Sequence, residues 1–310
     1  MDIKEFLQQP EIQDLLEVND LDSIYKLMHI YHRSILTEFF ITNNINPLAY
    51  MSKIFANMYS KLDIASIKIP NHIDSIGEAA FSFCISLTSI TIPDNVINIG
   101  DKAFAFCESL TNITIPDSLT SISTRAFYNC RNLKHINIPN IVKSIGNSAF
   151  CNCYNLESII IPNNVTSIGD SAFDHCESLP DITIGKYVKS IGHYAFNGCK
   201  NLENVMIENG VENLGAFAFS YCERLTNITI PDSITSIESS VFYGCSNLEN
   251  ITLPNSILSI DRDAFAFTNL HTIKYLGTKD EWKKIKKNRI WRDASKIKEI
   301  HCSDGIIKLR

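Results

Sequence analysis

One phenylalanine returns every 23 residues along this chain. It stands at Phe81, Phe104, Phe127, Phe150, Phe173, Phe196, Phe219, Phe242 and Phe265, in most cases behind an alanine. A spacing this strict leaves few shapes open. Each repeat is one turn of chain that cannot bury its apolar side alone. Burying a handful of side chains does not offset the entropy of ordering a whole turn. The turns must therefore stack, like phase over like phase, into a solenoid. Each phase of the repeat becomes a column running the length of the molecule.

The unit is seen best from Leu87 to Cys107, LTSITIPDNVINIGDKAFAFC. Ser89-Ile90-Thr91-Ile92 alternates and is β-branched, which predicts a strand. Pro93 lacks a backbone donor and ends it. Val96, Ile99, Ala103, Phe104 and Cys107 are expected to point inward around the rest of the turn. Gly77, Gly100, Gly146, Gly169, Gly192 and Gly215 share one phase and suggest a tight turn. Ser123, Glu238 and Asp261 stand there in other repeats. The segment around Ala103-Phe104 reads as a short 3₁₀ or α turn on the convex side. A period in this range, with Leu and Ile at set offsets, predicts a leucine-rich repeat solenoid. The expected form is a right-handed coil with one short parallel strand per turn, about nine coils over residues 63–277.

Two segments lie outside the repeat. Residues 1–62 carry apolar side chains at helical spacing, among them Leu21, Ile24, Leu27, Met28, Tyr31 and Ile35. They predict a small α-helical N-terminal subdomain or cap. Residues 1–60 also offer a route to docking or oligomerisation. Residues 278–310 predict a helix-plus-hairpin C-terminal cap. Thr278 with Glu281 three residues on is a capping box that starts the helix. Ile297–Cys302 and Ile306–Leu309 read as strands around Ser303-Asp304-Gly305. Trp282 and Trp291 are expected to close the last coil. The run Lys283, Lys284, Lys286, Lys287, Arg289, Arg292 reads as a solvated face, with an anionic contact as the sharper reading.

Composition narrows the function classes. Of 310 residues 20% are charged, and the net charge is −6. A nucleic-acid footprint would be a basic face, so no nucleic-acid partner is expected. No stretch approaches 18 apolar residues, so no transmembrane segment is expected. The start, MDIKEFLQQP, has no basic region ahead of an apolar run, and a cytoplasmic location is the expectation. Cys84, Cys107, Cys130, Cys153, Cys176, Cys199, Cys222 and Cys245 share one phase. Their Cβ vectors would all point the same way, which is poor disulfide geometry. A straight column does not converge on a metal either. They are expected to be buried free thiols, with no metal and no cofactor.

With the coil and its tail in view, the chain resembles the BspA-like leucine-rich repeat family. The resemblance rests on Ile-Pro after the strand, Ser-Ile-Gly before Ala-Phe, and a Cys three residues further, over roughly residues 64–275. Gly277-Thr278-Lys279-Asp280-Glu281-Trp282 and His301-Cys302-Ser303-Asp304-Gly305 look like the C-terminal segment of many bacterial members. The resemblance implies the fold, and a role in adhesion to proteins or to other cells. The signal peptide, lipobox and wall anchor of surface members have no counterpart here, which leaves room for an intracellular or phage-encoded interaction protein.

The strand columns that point outward form the expected concave binding face. One column includes Ser89, Asn112, His135, Ser158, Asp181, Asn204, Asn227 and Asn250. The other includes Thr91, Thr114, Asn137, Ile160, Thr183, Met206, Thr229 and Thr252. His135, Ile160, Asp181 and Met206 break an otherwise monotonous Ser/Asn/Thr surface. No nucleophile elbow, HExxH, Walker loop or dinucleotide fingerprint is present, so no catalytic residue and no enzyme activity are expected. The expected function is recognition of a protein or glycan partner. The alternative is a structural or assembly component of a virion, surface or scaffold that uses its ends to oligomerise.

Overall fold

The computed structural model describes residues 65–69, 71 and 73–309. The helical subdomain expected over residues 1–62 lies outside them. The described chain is a solenoid of stacked parallel turns. Each coil contributes two strands to two walls. The first wall runs from Ser66–Lys68 through Ser89–Thr91 and its successors to Thr272–Tyr275 and Glu299–Cys302. The second is built of two-residue strands such as Ser75–Ile76, Ser144–Ile145 and Ser190–Ile191. The sequence predicted one strand per turn. The second is short because only two residues run straight between the turn after the proline and the turn before Ala-Phe.

Register within the walls is an offset of 23 through the regular coils, as in Ser66↔Ser89 and Ser167↔Ser190, and it changes only at the C-terminal end, where Thr252 pairs with Lys274 and Ser259 with Lys286. The side-chain columns follow from it. Phe104, Phe127, Phe150 and the others of that phase are fully buried. Their rings stack nearly parallel, 5.2–6.2 Å apart, from Phe81 to Phe265. Leu, Ile, Val, Ala and Cys columns fill the rest of one continuous core. Burial of each such side chain contributes roughly 1.5–3 kcal/mol.

The third side is not the 3₁₀ or α turn expected around Ala103-Phe104. In each coil the residue two before Phe and the residue two after it both take left-handed backbone. Lys102 (φ 57°) and Phe106 (φ 62°) show the pattern in one coil, Ser148 and Asn152 in another. A left-handed residue costs about 1–2 kcal/mol for most side chains. The conformation turns alternate N–H groups toward the next coil, as in Lys102 N–H to Thr124 O at 2.9 Å and Phe104 N–H to Ala126 O at 2.8 Å. The intervening N–H groups close turns within the coil, as in Ala105 N–H to Lys102 O at 2.9 Å. No valine, isoleucine or threonine stands at either left-handed phase in any coil. Those are the residues least able to adopt it.

The glycine column also has a different cause from the one expected. None of Gly100, Gly146, Gly169, Gly192 and Gly215 has positive φ. A Cβ on Gly192 would lie 2.5 Å from Asp170 N and Gly169 C in the coil beneath. The glycines let adjacent coils touch backbone to backbone. Gly146 N–H then reaches Ile122 O at 2.8 Å, and Gly192 reaches Ile168 O at 2.9 Å. Where a side chain sits directly above a glycine, the wall parts. Ser123 lies above Gly100 and bonds Ile99 O through its hydroxyl instead of its N–H. Glu238 lies above Gly215. The second wall is interrupted at these two places. Asp261 stacks on Glu238 and keeps its backbone bond, 2.8 Å to Ile237 O.

The last turn is closed by the tail. Helix α1, Lys279–Lys284, starts on Thr278 with the predicted capping box. Strand Lys286–Lys287 continues the second wall. Trp291 meets Phe265 edge to face at 6.0 Å and takes over the phenylalanine column. Trp282 packs between Tyr275 and Trp291. The predicted hairpin is Glu299–Cys302 with Gly305–Lys308, antiparallel, at the end of the first wall.

Replacing Gly192 by Ala is expected to destabilise the protein by about 1–3 kcal/mol, because a backbone must move to admit the methyl. A urea titration followed by circular dichroism measures it; an unchanged midpoint would show that the coils do not touch there.

Candidate functional site

All sixteen outward strand residues singled out from the sequence lie on one face of the first wall. Thr252 is half-buried there, and the rest are exposed. Alternation places them: Ile90, Ile113 and Ile136 turn in, so their neighbours turn out. Asp181, Thr183, Asn204, Met206, Asn227, Thr229, Asn250 and Thr252 line an open cleft of about 650 Å³. Ser89, Thr91, Asn112, Thr114, His135, Asn137, Ser158 and Ile160 continue the same face toward the first coil.

Four residues break the pattern, and each has a distinct setting. His135 Nδ1 lies 3.0 Å from Ser158 Oγ, and its Nε2 lies 3.8 Å from Glu157. Glu157 also pairs with Lys134 at 3.0 Å, and that hydrogen bond holds its carboxyl below the usual range. Ile160 is 75% exposed and Met206 is 60% exposed. Asp181 makes no side-chain hydrogen bond or ion pair among the described residues. Further along, Asn250 Nδ2 donates to Asn227 Oδ1 at 2.8 Å, so part of the asparagine column is bonded to itself.

One feature of the face escaped the sequence reading. The first wall is not continuous. It divides between Ser158–Ile159 and Asp181–Ile184. Pro180 stands at the position before the strand. In neighbouring coils Glu157 N–H reaches Lys134 O at 2.9 Å and Glu203 N–H reaches Pro180 O at 2.8 Å. Pro180 has no N–H to offer Glu157 O. A proline entering a central strand was a legible signal. The cleft begins on one side of this seam, at Asp181, and Ile160 lies on the other.

A second groove, about 510 Å³, runs over the glycine column past Ser167, Ser190, Asp170 and His193. Its Asp170 and His193 side chains are occupied. Asp170 Oδ1 accepts His193 N–H at 2.8 Å, and His193 Nδ1 accepts Ala216 N–H at 3.0 Å. The outer aromatics just after the Ala-Phe pair pack mostly on each other. Phe83 stacks on Phe106 at 4.4 Å, and Tyr243 sits edge-on to Tyr221 and Phe267.

The basic run of the tail is dispersed. Lys283 pairs with Asp280 at 2.7 Å. Lys287 turns inward, its Nζ 2.7 Å from Trp282 O and 2.8 Å from Ile285 O, with the Trp282 ring 4.9 Å away. Burial holds its ammonium below the usual lysine range. Arg292 donates to Ile297 O at 3.0 Å. These contacts finish the helix end and the last coil.

The thiol column does more than fill space. Cys107 Sγ lies 3.1 Å from Phe81 O, and Cys130, Cys153, Cys176, Cys199, Cys222 and Cys245 make the same bond one coil on. Each thiol caps a phenylalanine carbonyl of the coil beneath. Burial pushes the thiols of Cys107, Cys130, Cys153, Cys176, Cys199 and Cys222 up, and pushes Cys151 up to about 12. Among the described residues no group of His, Cys, Asp or Glu is placed to hold a metal, and no helix is long and apolar enough to cross a membrane.

Fold and face together define a leucine-rich solenoid with an open, largely uncharged sheet surface. The chain belongs to the BspA-type leucine-rich repeat family, whose region model matches residues 52–180 and 166–298. A leucine-rich repeat protein from Bacteroides ovatus is 29% identical, with a TM-score of 0.56 over 76% of this chain and 68% of that one. The leucine-rich repeat protein of T. pallidum is 32% identical, with a TM-score of 0.50 over 53% of this chain and 79% of that one. A leucine-rich cell surface protein from Faecalibacterium prausnitzii is 27% identical over 76% of this chain and 84% of that one, with a TM-score of 0.47. No curated protein matches the chain.

Raised thiol pKa values have a consequence for stability. The unfolded chain's thiols ionise near the ordinary thiol value of about 9.0, and the buried ones do not. Their contribution is complete below that pH and is lost as pH rises toward the folded values. The urea midpoint is therefore expected to fall steadily above about pH 9. Thiol labelling at pH 8 should reach half-buried Cys302 first and the column only on unfolding. Rapid labelling of the column in the native protein would contradict this.

Proposed function

We propose that this protein is a non-enzymatic binding module that recognises a protein or glycan partner with the open face of its first wall. The site is centred on the seam, where Ile160, Asp181 and Met206 interrupt the repeat. The observation that supports this best is the exposure of two large aliphatic side chains, Ile160 and Met206, beside a cleft on an otherwise Ser/Asn/Thr surface. A column built only for folding has no need of them. Beside a cleft, such side chains offer a partner apolar area that the surrounding Ser/Asn/Thr columns lack. Other coils show what the repeat supplies in this same column by default: Thr91, Thr114, Thr229 and Thr252 in place of Ile160 and Met206. The unpaired buried thiols support a reducing compartment as its place of action.

The double variant Ile160→Ser, Met206→Ser tests the reading. Neither side chain packs in the core, so the melting temperature should hold. Affinity for partners captured by the wild-type chain should fall ten-fold or more, about 1.4 kcal/mol. Full retention of every partner by a folded double variant would sink the proposal.

A further inference from the structure

The cleft side of the seam carries one carboxylate that nothing in the described chain neutralises. Glu157, on one flank, is paired with Lys134 at 3.0 Å. Glu203, on the other, is paired with Arg224 at 2.7 Å. Asp181 lies on the coil between them, one residue past their phase, and points out of the first wall, in register with Asn204. Among the described residues its carboxylate has no cation and no donor. Thr183 stands two residues along the same strand, in register with Met206. Ile160 has the same phase one coil back, across the seam. The anion therefore sits diagonal to two exposed aliphatic groups, about one strand spacing away on either side.

Resting on the open-face reading above, we infer that the partner presents a cationic side chain next to an aliphatic one on an extended polypeptide segment. A lysine or arginine suits the geometry because its methylene stem can lie along Thr183 and Met206 while its head reaches Asp181. The aliphatic neighbour then covers Ile160 or Met206 and excludes water from the pair, which strengthens a charge-assisted bond. A glycan is the weaker fit. Sugar rings are held by stacking on aromatic faces, and neither outward column of this face carries Phe, Tyr or Trp. An acidic segment would meet the uncompensated charge of Asp181.

The probes are short fluorescent peptides that alternate arginine with valine, glutamate with valine, and arginine with serine, followed by anisotropy on the full chain. The arginine–valine peptide should bind, and the other two should bind at least five-fold more weakly. Asp181→Asn should weaken arginine–valine binding about five- to ten-fold, and Asp181→Lys should abolish it. Asp232→Asn, at an exposed carboxylate away from the face, should leave it unchanged. Raised salt should weaken it too. Equal binding of the arginine and glutamate peptides, no binding of any peptide, or indifference to Asp181→Lys overturns the inference. Should Ile160→Ser, Met206→Ser lose the natural partner while the Asp181 variants keep it, the basic segment is refuted and the open-face reading stands. Indifference of the natural partner to both sets refutes both.

Discussion

The stacking of like residues at a separation of 23 is the contact on which everything else in the molecule depends. Phe104 meets Phe127 at 5.5 Å, and Phe127 meets Phe150 at 5.4 Å. Such a column ties coil length to register, and the one shorter coil takes its missing residue in the turn between Phe265 and Leu270, so that Thr252 pairs with Lys274 and Leu270, Ile273 and Tyr275 remain buried. The same register aligns strand with strand, thiol with carbonyl, and the left-handed turns with one another. Stability in such an array is close to a sum of neighbour contacts. The tail obeys the rule even where its length differs: Trp291 occupies the phenylalanine column, and Lys286–Lys287 pairs with Ser259–Ile260.

Period and inward columns were legible in the sequence because burial repeats with the coil. The first-wall strand, the cap of α1 and the C-terminal hairpin were legible because their turn and cap residues act locally. Three features were not. Glycine announces the left-handed pair only at Gly198 and Gly244; in the other coils its trace is the absence of β-branched residues at phases such as those of Lys102 and Phe106. The glycine column was visible, but its cause is contact between coils, and phase alone cannot tell that from a turn. The seam at Pro180 was written plainly in the chain. Its effect falls on another coil, since the hydrogen bond it withholds is the one Glu157 O would accept 23 residues earlier in the chain.

The candidate face divides in the same way. Its alternation placed all sixteen outward residues on one surface, since a strand has only two sides. The cleft over the later coils, the charge left bare on Asp181 and the pairing of Glu157 and Glu203 depend on neighbours 23 residues away. Thr91, Thr114, Thr229 and Thr252 belong to the repeat and say little about a partner. Ile160, Asp181 and Met206 do not belong to it, and they gather on either side of the one place where the first wall opens. Individuality in this protein lies in its departures from the repeat.

The register claim is tested most directly by deletion. Removing residues 133–155 takes out one whole turn of 23 and rejoins like phases. Removing residues 133–149 takes out less than a turn and misaligns every column above the junction. The first variant should keep the far-ultraviolet circular dichroism per residue of the parent and unfold cooperatively, with a modestly lower midpoint. The second should lose cooperative unfolding. Equal behaviour of the two variants, folded or unfolded, would contradict the account.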